Sequence, residues 1–325
     1  MTRGTSGLLV TLALTTLVVL CGAAAQPPVA RVGILTAGSG LPAMREVFHQ
    51  SLRDLGYVEG HNLTLEQRQA GGQLERLPAL AAELVRGEPD VIVALGPSAL
   101  RAAQQATRTI PIVMLVSGDP IGAGFVPNLT RPGGNTTGMT TLSSRLSARR
   151  LAVLKEVVPR LSQVTVLFNP EEETKVVDWQ QTQVAARAWG VRVRPVELRR
   201  PGDLAPAFAA RRRERPEALV VLSDGLTFQH RAEIIRWAAD SRVPAMYEIR
   251  EYVEGGGLMA YGPRRPELFQ RLAAYVDQIL KGAKPGELPI EAPTAFELAI
   301  NLQAAQALGL TLPPALLSQA TEVIR

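Results

Sequence analysis

A chain of 325 residues, 46% hydrophobic and 20% charged, can bury one large core or two medium ones. Its formal net charge of +5 comes from runs such as Arg149-Arg150, Arg199-Arg200 and Arg211-Arg212-Arg213 with Arg215, yet only 5% of its residues are aromatic. The runs alternate with acidic or apolar helix positions, so they read as solvated helix faces and not as a nucleic-acid surface.

The N-terminus is read apart from the rest. Arg3, the apolar stretch Leu8 to Leu20 and Ala23-Ala24-Ala25 before Gln26 have the layout of a secretory signal peptide over residues 1–25. Cys21, the one cysteine, lies in that segment. Leu20 before it is bulkier than lipoprotein processing accepts, so cleavage after Ala25 is expected, with a lipid anchor at Cys21 as the alternative. The mature chain then has no thiol and no disulfide, and its expected location is the periplasm. No later run is long and apolar enough to cross a membrane.

From Arg31 onward, strands and helices alternate. Arg31 to Leu35 reads as a strand and Met44 to Leu55 as a helix ended by Gly56. Leu63 to Gln67 alternates like a half-buried strand, and Leu77 to Val85 is an amphipathic helix closed by Gly87. Then comes VIVALGPSALRAAQQATRTIPIVMLVSGDPIGAGF, Val91 to Phe125. It reads as a buried strand (Val91 to Leu95), a loop (Gly96, Pro97, Ser98), a helix (Ala99 to Ala106) and a second strand (Ile112 to Val116). Ser98 is placed as the N-cap of that helix. The order β-α-β-α-β-α-β argues for a parallel sheet with helices on both faces.

Asp119 to Gly138 breaks the rhythm with dense Gly and Pro and reads as the first crossing between lobes. A second βα series follows, with strands at Val164 to Phe168, Val191 to Val196, Ala218 to Leu222, Pro244 to Tyr247 and Gly257 to Tyr261. Arg264 to Leu280 is a helix, Gly282 to Pro293 a Pro-rich connector, and Phe296 to Leu308 another helix before a short final one.

Catalytic constellations are not found. His49, His61 and His230 are scattered, and no nucleophile elbow, phosphate-binding loop or dinucleotide fingerprint is present. Glu171-Glu172-Glu173 reads as a solvated helix start, and no residues stand at metal-ligand spacing. No cofactor and no enzyme activity are expected. Polar and aromatic residues do gather at the carboxyl ends of strands: Ser39, Gly96-Pro97-Ser98 and Asp119 in the first series, and Asn169, Ser223-Asp224, Tyr247 with Glu248, and Tyr261 in the second. Facing one cleft, these suit a small zwitterion. Ser98 and the first helical amides could hold a carboxylate. Asp224 or Asp119 could pair with an ammonium, and Tyr247, Tyr261 or Phe168 could cover an apolar side chain.

The segments GYVEGHNLTLEQRQAGGQLERLPALAAELV, TIPIVMLVSGDPIGAGFVPNLTRPGGNTTG, GGLMAYGP and LPIEAPTAFELAINLQAAQALGLTLPPALL resemble the substrate-binding proteins of ABC transporters related to TrpX-type aromatic amino-acid binders. The resemblance covers nearly the whole mature chain. It implies a type I periplasmic-binding-protein fold, α/β, with two Rossmann-like parallel-sheet lobes on a three-strand hinge that close over a ligand. It implies that lobe 1 comprises residues 29–118 plus 264–289, and lobe 2 residues 119–263 plus 290–325. A monomer would bind a small molecule, an aromatic amino acid by this resemblance, with a branched-chain amino acid or another small organic anion left open, and deliver it to permease and ATPase subunits in the inner membrane. Carried over by position, the cleft takes in Ser39, Gly96-Pro97-Ser98, Asp119, Asn169, Ser223-Asp224 and Tyr261. The chain departs from the pattern at Arg264-Arg265, where an acidic residue is common after YGP. A sensory ligand-binding subunit on a membrane receptor has the same fold and is the alternative, with an extracytoplasmic enzyme as the third reading.

Overall fold

A computed structural model describes residues 29–38, 42–214 and 216–325, without the side chains of residues 211–214. The expected signal peptide with Cys21, the candidate site residue Ser39 and the Arg211 to Arg215 run therefore lie outside the described residues or side chains.

The first half alternates as expected: β1 (Ala30–Thr36), α1 (Pro42–Asp54), β2 (Leu63–Gln69), α2 (Leu77–Arg86), β3 (Val91–Leu95), α3 (Pro97–Ala106), β4 (Ile112–Val116) and β5 (Thr136–Thr140). These strands make one parallel sheet in the order β2-β1-β3-β4-β5. The continuous apolar runs follow from burial on both faces. Along β3, Val91 and Val93 point to the face carrying Phe48 and Leu52 of α1, while Ile92 and Ala94 point to Leu80, Leu84 and Leu100 of α2 and α3.

The second half runs α4 (Ser147–Val157), β6 (Gln163–Phe168), α5 (Glu173–Ala188), β7 (Arg192–Glu197), α6 (Leu204–Glu214), β8 (Leu219–Val221), α7 (Gly225–Gln229), α8 (Arg231–Asp240), β9 (Ala245–Tyr247), α9 (Glu251–Glu254) and β10 (Met259–Pro263). The chain then returns to the first sheet with α10 (Arg265–Leu280), whose Leu268, Leu272 and Val276 join the cluster of α1. It ends in the second lobe with β11 (Phe296–Asn301), α11 (Leu302–Ala307), α12 (Pro314–Gln319) and β12 (Glu322–Ile324). The second sheet has seven strands in the order β12-β11-β10-β9-β8-β6-β7, and only the β10–β11 pair is antiparallel.

Two expectations change. The chain does not leave the first sheet at Asp119. Residues 136–140 pair with β4 from Ile112↔Thr136 to Val116↔Thr140, so the first crossing is at Thr141 and Leu142. The Gly- and Pro-rich stretch before it is a long excursion within lobe 1. The segment Phe296 to Leu308 is also not one helix. FELAIN forms β11 against β10, five of its six residues buried, and Asn301 then caps the short α11 by accepting from the Ala304 amide at 3.0 Å. A short apolar run carries no periodicity that separates a buried strand from a buried helix.

Three segments join the lobes: Thr141–Leu142, the step from β10 into α10 at Arg264, and residues 291–295 before β11. Glu291 pairs with Met139 of β5 just before the third crossing, so two of the crossings lie side by side.

Candidate ligand-binding site

The carboxyl ends of β1, β3 and β4 meet those of β8 and β9 around one cavity of about 200 Å³. From the first lobe come Thr36, Gly96-Pro97 and Ser117 at the strand ends, with Phe48, Leu268 and Phe269 from α1 and α10 as an apolar wall. From the second lobe come Ser223-Asp224-Gly225, Glu248, Phe228 and Glu172, the last from the loop before α5. Arg45 and Arg265 stand on the first-lobe side.

The lobes touch around this space. A Cβ on Gly225 would lie 3.1 Å from the Gly38 amide nitrogen, so backbone meets backbone there. Ser117 Oγ is 3.4 Å from Thr174 Oγ1, and Arg101 of α3 donates to Glu173 at 2.6 Å across the gap. Gly96, at φ +102, turns the chain from β3 into α3, and Pro97 occupies the first helical position, where no amide partner is needed.

The second-lobe wall contains a buried ion network. Glu248, 4% exposed, accepts from Arg150 at 2.8 Å, Ser143 at 2.7 Å, Lys175 at 2.7 Å and the Ser223 amide at 2.8 Å. Lys175 also donates to Asp178 at 2.8 Å, and Arg150 donates to the Tyr261 carbonyl at 2.9 Å. Burial alone would raise the Glu248 carboxyl, but the Arg150 and Lys175 charges outweigh it and hold it at about 2. Burial works against the Lys175 ammonium, but Asp178 and Glu248 overcome it and raise the group. The network ties the first crossing (Ser143), the strand before the second (Tyr261) and the β8 loop together. Arg150 is thus 1% exposed and not on a solvated helix face, because its guanidinium has a carboxylate to meet inside.

Glu172 corrects a second expectation of solvation: it is 1% exposed. Its carboxyl lies beside the hydroxyl and amide of Ser98 in the first turn of α3, yet neither oxygen has a hydrogen-bond partner of normal geometry among the described residues. Burial first, and then the Asp224 charge, push it up to about 8, against Ser98 and Lys175, which favour the charged form.

Of the expected site residues, Gly96, Pro97, Ser223 and Asp224 line the cavity. The others are placed elsewhere. Ser98 is the second helical residue, not the N-cap, and faces an outer groove and Glu172, so the anion position at the start of α3 is taken by the other lobe's own carboxylate. Asp119 holds its own turn by accepting from the Ile121 amide at 2.9 Å. Asn169 is fully buried, and its Oδ1 accepts from the Glu171 amide at 2.9 Å. Tyr247 is stacked on Tyr252 at 4.6 Å in the core. Tyr261 stacks on Phe296 and Phe168 on Trp179, both on the α4/α5 face of the second sheet. Asp224 does more than cap a turn. Its Oδ1 accepts from the Thr227 amide at 2.7 Å, while Oδ2 is buried without a partner among the described residues. Arg265, where the chain departs from the family pattern, lines the cavity. Its Nε is buried with Glu251 Oε1 at 3.4 Å and no hydrogen bond of normal geometry.

No described helix is long and apolar enough to cross a membrane, and no three His, Cys, Asp or Glu side chains gather as a metal site among the described residues.

Comparison with known proteins gives a consistent result. Residues 31–324 match the family described as ABC transporter substrate binding protein. A tyrosine-binding protein of Clostridioides difficile (strain R20291) is 23% identical over 270 residues, 83% of this chain and 77% of that one. A crystal structure of a conserved domain protein from Vibrio cholerae is 30% identical with a TM-score of 0.86, covering 91% of this chain and 99% of the other. The structure of an ABC domain from Streptococcus pneumoniae in complex with L-Trp is 23% identical with a TM-score of 0.82 over the same shares, 91% and 99%.

Proposed function

The chain belongs to the ABC transporter substrate-binding protein family, and from that premise we propose that it binds an amino acid with an aromatic side chain between its lobes and delivers it to the permease of an importer. In this reading it works outside the cytoplasm, as a monomer, and performs no chemistry on its ligand. The observation that carries the reading is the cavity between the lobes with an apolar wall and charges of both signs in its lining. Phe48, Leu268 and Phe269 suit a ring, Asp224 suits an ammonium, and Arg265 suits a carboxylate. A zwitterion with an apolar side chain meets the apolar wall and brings a counter-charge to each charged group, whereas a neutral sugar brings hydrogen bonds but no counter-charge. The relatives that bind tyrosine and tryptophan point the same way.

A thermal-shift panel of amino acids, pentoses and small carboxylates tests this. A ligand at about a hundred times its Kd stabilises by roughly 2.7 kcal/mol. The expected result is a shift with tyrosine, tryptophan or phenylalanine and none with sugars. A shift with sugars alone would remove the reading.

A further inference from the structure

We propose that Glu172 and Asp224 form a two-carboxylate subsite for the protonated amine of the ligand, and that Glu172 is the residue that separates ligands with an amine from those without. The inference rests on the reading that the ligand sits between the lobes.

The charged groups on this wall fall into two sets. Glu248, Lys175 and Arg150 satisfy one another with bonds of 2.7–2.8 Å. Glu172 and Asp224 do not. Glu172 is 1% exposed, and its oxygens have only the Ser98 hydroxyl and amide nearby with no hydrogen bond of normal geometry, while Asp224 Oδ2 is buried and unpartnered, among the described residues. Both line the cavity, and the Asp224 charge is felt by Glu172. Buried acceptors without donors are costly, on the order of 1–3 kcal/mol each and more when charged. Two carboxylates on one cavity, each with unmet acceptor capacity, suit an occupant with positive charge and several N–H donors. A primary ammonium has three donors; a hydroxyl has one and no charge, and a carboxylate adds a third negative group. A divalent metal would need further ligands, and no third carboxylate, His or Cys joins the pair among the described residues.

A proton is the alternative occupant. The groups facing Glu172 are Asp224 from the β8–α7 loop, Lys175 from α5 and Ser98 from α3. On the outer side Arg101 and Arg199 are committed to Glu173 and Glu171. Burial between the touching lobes, and then the Asp224 charge, raise Glu172 from 4.5 to about 8. Closure over a ligand without an amine therefore takes up a proton at Glu172, and its affinity falls as pH rises through that window. An ammonium takes the proton's place, so binding of an amine holds steady there.

The test titrates the wild-type protein, Glu172→Gln and Asp224→Asn with L-tyrosine, with tyramine, which lacks the carboxylate, and with hydroxyphenylpropionate, which lacks the amine, across pH 4.5 to 8. Glu172→Gln is expected to weaken both amine ligands about tenfold or more, to leave hydroxyphenylpropionate unchanged or tighter, and to remove its pH dependence. Asp224→Asn, which keeps the acceptor that caps α7, is expected to weaken the amine ligands likewise. Equal losses for all three ligands, with or without a fall in melting temperature, would make Glu172 a structural contact between the lobes and overturn the proposal. So would unchanged binding of L-tyrosine. Binding of tyramine without L-tyrosine would remove the amino-acid reading and keep this subsite, and binding of none would remove both.

Discussion

The two walls of the cavity are built differently. The first lobe lines it with Ile34, Phe48, Leu115, Leu268 and Phe269, and adds Arg45 and Arg265. The second lobe supplies the buried charges Glu172, Glu248 and Arg150, with the half-buried Asp224. One wall is shaped by packing and the other by electrostatics. The first lobe therefore offers mainly shape, with Arg45 and Arg265 as its charged groups, and the second offers mainly carboxylates.

The largest expected effect comes from breaking the network of the second lobe. Lys175→Met removes the ammonium shared by Asp178 and Glu248. Loss of one partner from a buried pair costs about 3–5 kcal/mol, so urea melts monitored by the tryptophans should show this lobe unfolding first. A change below about 1 kcal/mol would mean that the network is not a unit. Its pH dependence has a fixed sign. Glu248 is held near 2, below its ordinary 4.5, so its stabilisation is complete above that ordinary value and is lost as pH falls towards 2. Acid melts of wild type and Glu248→Gln should converge at low pH; parallel curves would contradict the assignment.

Next in size is closure itself. Gly225→Ala puts a Cβ 3.1 Å from Ala37 and Gly38 in the touching lobes. The expected result is a severalfold weaker affinity, a larger radius of gyration with ligand present, and an unchanged fold by circular dichroism. Wild-type affinity would mean that the contact is not part of the bound state. The smallest effect is expected for Arg101→Ala. Its ion pair with Glu173 is partly exposed, at 35% and 53%, and such pairs contribute about 0–1 kcal/mol. Affinity should fall by less than about fivefold.

The same contrast explains what could be read in the sequence. The first sheet follows from runs such as VIVAL and IVMLV, and the second from runs such as VTVLF, whose burial is a local property of a few consecutive residues. Gly96-Pro97 and Ser223-Asp224 were legible because they follow directly on such runs. The charged wall was not. Glu248 meets Ser143, Arg150, Lys175 and Ser223, which are far apart in the chain, and a lone Arg150 or Glu172 reads as solvated until its surroundings are known. Tyr247 and Tyr261 were misplaced for the converse reason. An aromatic at a strand end points either into the cleft or into the core, and their partners Tyr252 and Phe296 decide for the core. The crossing at Thr141 was hidden because TTGMT, despite its threonines, is buried throughout as β5.

The most direct test is a crystal structure of the protein grown with L-tyrosine. The account predicts the amino acid between the two sheets, its ring against Phe48 and Phe269, and its ammonium within hydrogen-bond distance, about 3 Å, of Asp224. A ligand bound outside the cleft, or one whose ammonium faces Arg265, would contradict it.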